Sequence, residues 1–78
     1  MVRIELLHLD SDEVTYKYFP EHETEIYGIV SINRRNGERL IKQKAAGYGS
    51  SYAFHACREV ERYIEKGEFK PQGMVAWY

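Results

Sequence analysis

The chain reads as an α+β domain: an antiparallel meander of about four strands packed on one α-helix over about residues 51–66, with a short C-terminal strand. Three observations predict it. Short β-rich runs alternate apolar and polar side chains, turn residues separate those runs, and residues 53–64 repeat apolar side chains with a helical period.

Val2–Leu9 begins in alternation (Val2, Ile4, Leu6) and is the first expected strand. Asp10-Ser11-Asp12 comes next as turn chemistry, because Asp and Ser side chains satisfy nearby backbone groups. Val14–Phe19 is the second strand, with Val14, Tyr16 and Tyr18 on one face, and Pro20, lacking an N–H, helps end it. Asn36-Gly37 predicts a two-residue type I′ hairpin, since both residues tolerate positive φ. Such a turn sets Arg35 opposite Glu38, Ile32 opposite Ile41 and Val30 opposite Gln43. One face then carries Ile26, Gly28, Val30, Ile32, Ile41 and Ala45 and is the core face. The other carries Tyr27, Ile29, Ser31, Asn33, Leu40, Lys42 and Lys44. A slip of one residue would exchange the two sets.

Gly47-Tyr48-Gly49-Ser50-Ser51 leads into the helix with Ser50 or Ser51 as N-cap, and Gly67 stops it. Ala53, Ala56, Cys57, Val60, Tyr63 and Ile64 form its apolar stripe. Lys70-Pro71-Gln72-Gly73 suits a type I turn, and Met74–Tyr78 is the last strand. Placed beside the fourth strand it would run parallel to it through a right-handed crossover.

With 78 residues there is room for one domain, 1–78, and one core. The 14% of aromatic residues supply the apolar area that disordered chains lack. Domains below about 70–80 residues often need a staple or a partner. The single cysteine excludes an internal disulfide and no ligand cluster suggests a structural metal, so self-association is the expected source of the missing stability. Neither a signal peptide nor an apolar run long enough to span a membrane is present, and one unpaired thiol fits a reducing cytoplasm.

Charge is uneven. Residues 1–25 hold seven acids against Arg3 and Lys17, while residues 26–78 hold nine bases against five acids. In an up-and-down meander the acidic turn (Asp10, Asp12, Glu13) and the basic turn (Arg34, Arg35, Arg39) fall at the same end, so the asymmetry is expected to be satisfied internally. Glu21 and Glu23 are expected near the helix N-terminus, whose partial positive charge favours them.

The candidate chemistry is thin. His55 and Cys57 lie about 160° apart around a helix and cannot share a proton or a metal. His8, Asp10 and Asp12 fall at the tip of the first hairpin, and Glu21, His22 and Glu23 at its base, roughly 20 Å away, so no metal is expected. Gly47-Tyr48-Gly49 lacks the spacing of a phosphate-binding loop. The expectation is therefore a non-enzymatic protein-interaction module without cofactor, cytoplasmic, and a homodimer or bound to another protein through Tyr27, Ile29 and Leu40, or through a sheet edge. A nucleic-acid or anion-binding role using Arg34, Arg35, Arg39, Lys42 and Lys44 ranks second, because the net charge is −1 and acids interleave with the bases.

Overall fold

The computed structural model describes residues 1–76. Strands β1 (Val2–Leu9), β2 (Glu13–Pro20), β3 (Gly28–Asn33) and β4 (Arg39–Gln43) form the expected meander, followed by α1 (Ser51–Lys66) and β5 (Gln72–Val75). They make one antiparallel sheet of five strands in the order β4-β3-β2-β1-β5, with α1 across one face. This is the α+β architecture read from the sequence.

The last strand differs from expectation in place and direction. It pairs antiparallel with β1 (Val2 opposite Val75, Arg3 opposite Met74), at the sheet edge away from β4. It also begins at Gln72, so in place of the predicted turn over residues 70–73 there is a bend at Pro71, whose carbonyl accepts the Leu6 N–H at 2.8 Å. Trp77 and Tyr78, assigned to that strand from sequence, lie outside the described residues.

The Asn36-Gly37 hairpin exists in another form. Only Gly37 has positive φ, at 76°. Residues 34–37 form a longer loop closed by the Gly37 N–H on the Asn33 carbonyl and by the Asn33 N–H on the Glu38 carbonyl. The Asn33 side-chain oxygen accepts the N–H groups of Arg35 and Asn36, which pins the loop. Ile32 therefore faces Arg39 and Val30 faces Ile41, two residues from the predicted register. Because side chains alternate with period two, a shift of two leaves Val30, Ile32, Leu40 and Ile41 on their predicted faces, while a bulge at Lys42 brings Gln43 opposite Ile29.

The core lies between sheet and helix. Val2, Ile4, Val14, Tyr16, Tyr18, Val30 and Ile32 are buried against Ala53, Ala56, Cys57, Val60 and Tyr63 of α1. Ile26, assigned to the core face, is exposed instead, since it precedes β3. The ring of Tyr18 lies over Gly28, where any Cβ would collide with it, and its hydroxyl accepts the Ala45 N–H at 3.1 Å. Gly67, at φ 68°, ends α1 as expected, its N–H and that of Glu68 bonding the carbonyls of Ile64 and Tyr63. Ser50 precedes the helix, but its side chain makes no capping hydrogen bond.

Candidate protein-interaction face

With α1 on one side, the opposite face of the sheet has no element of the described residues upon it. Three cross-strand rows build it. The first holds Leu40, Ser31, Thr15 and His8. The second holds Gln43, Ile29, Lys17, Glu5 and Gln72. The third holds Phe19, Arg3 and Met74, with Tyr27 against Phe19 at 5.6 Å between ring centroids.

The three predicted contact residues share this face. Tyr27 and Ile29 are half-buried and Leu40 is 57% exposed. The structure adds Met74, also 57% exposed, which only the β1–β5 pairing brings here. No local sequence signal could place it. Leu40 and Met74 thus stand at opposite corners, with Lys17 midway between them and Ile29, Tyr27 and Phe19 to one side.

The two rings carry their own cations. The Arg3 guanidinium lies 4.1 Å from the Phe19 ring centre, and the Lys17 ammonium 4.5 Å from that of Tyr27. Arg3 is also paired with Glu5. In the first row, Thr15 and Ser31 are buried and share a hydroxyl contact of 3.1 Å. Ser31 and Leu40 line a hollow of about 240 Å³ edged by Glu13, Asn33, Glu38 and Arg39.

The basic candidates are largely engaged within the chain. Arg35 pairs with Asp12 at 2.8 Å, while Arg34 donates to the Asp10 carbonyl at 2.6 Å and its backbone N–H to the Asp12 carbonyl. Arg39 makes a two-pronged contact with Glu61 of α1, both bonds 2.7 Å, and Lys42 lies 3.7 Å from Glu13. Lys44 has no ion pair among the described residues. The acidic and basic turns do meet, as the meander predicts.

The remaining motifs separate. Cys57 is fully buried and its thiol is pushed up to about 11 by that burial, whereas His55 is half-buried on the other side of the helix beside Arg58, Glu59 and Arg62. At the tip of the β1–β2 hairpin His8 bonds Asp10 at 2.8 Å, which with two backbone N–H groups lowers the Asp10 carboxyl to about 2. At the base, Glu21 holds the Met1 amine at 2.8 Å and the Tyr52 hydroxyl at 2.9 Å. Tyr48 of the glycine loop donates to Glu23 at 2.5 Å, so a phosphate placed there would meet carboxylates. No group of three or more His, Cys, Asp or Glu side chains is gathered for a metal among the described residues. Nor is any of their helices long and apolar enough to cross a membrane.

Among known proteins, no family model, no curated protein and no solved structure matches the chain.

Proposed function

We propose that the protein is a non-enzymatic interaction module that self-associates through the uncovered face of its sheet. One observation carries the reading: two large apolar side chains, Leu40 and Met74, stand more than half exposed on a face that also holds Ile29, Tyr27 and Phe19. Burying an exposed Leu or Met stabilises by roughly 1.5–3 kcal/mol each, and a small domain has reason to recover that. The non-enzymatic part rests on the buried, inert thiol of Cys57 and its separation from His55. A cytoplasmic setting is proposed on the same lone thiol.

Nucleic-acid or anion binding through Arg34, Arg35, Arg39, Lys42 and Lys44 ranks behind it. Most of those cations would first have to leave Asp10, Asp12, Glu13 and Glu61.

Sedimentation velocity over a dilution series tests the proposal. The expected result is a concentration-dependent dimer for the wild-type chain and a monomer for Leu40→Lys, with unchanged circular dichroism for both. A wild-type chain sedimenting as a monomer throughout would overturn it.

A further inference from the structure

The two edges of the sheet differ in what guards them. The β4 edge is charged, and Arg39 bridges it to α1 through Glu61. At the other edge Gln72–Val75 carry no charge, and no ion pair joins β5 to the helix among the described residues. Charged side chains on an edge strand discourage pairing, whereas an uncharged edge invites it. We infer that the free edge of β5 takes an extended acidic segment of a partner protein as a sixth strand, alternate carboxylates of that segment meeting Arg58, Arg62 and Lys66 of α1.

Backbone geometry leaves room for such a strand. The Leu6 N–H bonds the Pro71 carbonyl, so by antiparallel alternation Gly73 and Val75 turn their backbone groups to β1, opposite Ile4 and Val2. Gln72 and Met74 turn theirs outward, and no strand of the described residues lies beyond them. Extended peptides join exposed edges through groups of this kind. In the added strand, residues opposite Gly73 and Val75 project on the helix side of the sheet, as Ile4 and Val2 do.

Charge on that side selects the chemistry. Two hollows of about 210 Å³ each lie between α1 and the segment 68–76 and share Glu59 and Arg62, with Arg58 in the first and Lys66, Glu68 and Lys70 in the second. Four bases thus stand against two acids, and Glu59 is already held by Arg62 at 3.3 Å. Arg58, Lys66 and Lys70 make no ion pair among the described residues. Glu65 is exposed on the helix but lines neither hollow. Arg58, Arg62 and Lys66 recur every fourth residue, about 6 Å along the helix axis. Alternate residues of a strand recur about 6.6 Å apart, so acids at every second position keep step with these bases. A second copy would bring β4, with Arg39 and Lys42, or a β5 flanked by the same bases, and like charges would meet. A nucleic-acid strand cannot answer both the N–H and C=O groups of Gln72 and Met74, and the Tyr63 ring in the second hollow is buried from any base.

Fluorescence anisotropy with a labelled peptide of alternating threonine and glutamate tests the proposal. The wild-type chain should bind it saturably, at least tenfold more tightly than a threonine–lysine peptide. Arg58→Glu combined with Lys66→Glu, both at exposed positions, should reverse that preference. A second measurement needs no variant to fold. The threonines lie opposite Gln72 and Met74, so N-methylation of their amides should weaken binding by the wild-type chain tenfold or more, while N-methylation of the glutamate amides should leave it within twofold. Absence of saturable binding at millimolar peptide, equal effects of the two methylations, or equally tight binding of an oligothymidylate would each overturn the proposal.

Discussion

The two faces of this sheet solve the same problem by different means. Against α1, burial is complete: Val2, Ile4, Val14, Tyr16 and Ile32 are fully enclosed, and the tyrosine hydroxyls reach backbone partners where they can, Tyr16 donating to the Lys70 carbonyl at 2.6 Å. On the open side the rings are roofed by Arg3 and Lys17 of the same chain, and small hydroxyl residues fill the middle. Such a roof removes apolar surface from water without fixing it, since long cationic stems keep their charged ends hydrated. The first face thus determines whether the chain folds, and the second is the one proposed to meet a partner. Substitutions on the first should therefore change stability, and those on the second association.

The largest effect is expected at Gly28, where a methyl group would collide with the Tyr18 ring and cost the hydroxyl its Ala45 partner. Gly28→Ala should lose about 3 kcal/mol by urea denaturation, combining overpacking and a broken buried hydrogen bond. A loss below about 0.5 kcal/mol, the range of ordinary surface changes, would show that the covered face is looser than its packing implies.

The charges at the edges of the two faces come next. Arg39→Ala removes the two-pronged contact with Glu61, which ties the β4 edge to the helix and is partly screened by solvent, so about 1 kcal/mol is expected in the same assay. At the hairpin tip, Asp10 ionises below its ordinary 3.8, at about 2. A carboxyl lowered by folding adds stability above its unfolded value that disappears as the pH falls through its folded value. Wild-type and Asp10→Asn melting curves should thus differ above about pH 4 and converge towards pH 2. Cys57 behaves with the opposite sign. Its thiol, pushed up to about 11, favours the folded state below the ordinary thiol value and ceases to do so as the pH rises through 11. Reaction of Cys57 with a thiol reagent at neutral pH should accordingly wait for unfolding.

The smallest change in stability is expected on the open side. Leu40→Lys should alter the unfolding free energy of the monomer by less than about 0.5 kcal/mol while abolishing the dimer, and a larger loss would mean that Leu40 belongs to the fold.

What could be read beforehand depended on range along the chain. The strands, the helix and its glycine stop are local, set by periods of two and 3.6 residues and by single turn residues. The face assignment of Tyr27, Ile29 and Leu40 survived even though the hairpin register moved, because the Asn33 side chain organised a longer loop and the shift was even. The bulge at Leu7, between the pairings of Leu6 and His8, had no sequence signal. Placement of β5 depends on pairing with a strand about seventy residues earlier, and no local pattern encodes that. Met74, Arg3 and the hollow beside Leu40 were consequently out of reach until the sheet order was known.

The claim that most needs testing is that the open face is the one that becomes covered in solution. Amide chemical shifts followed by NMR through a dilution series address it residue by residue. Concentration-dependent shifts are expected at Ile29, Leu40, Arg3 and Met74, with the solvent side of α1 around Phe54 unmoved. Shifts confined to the Phe54 side of the helix, or none across the series, would contradict it.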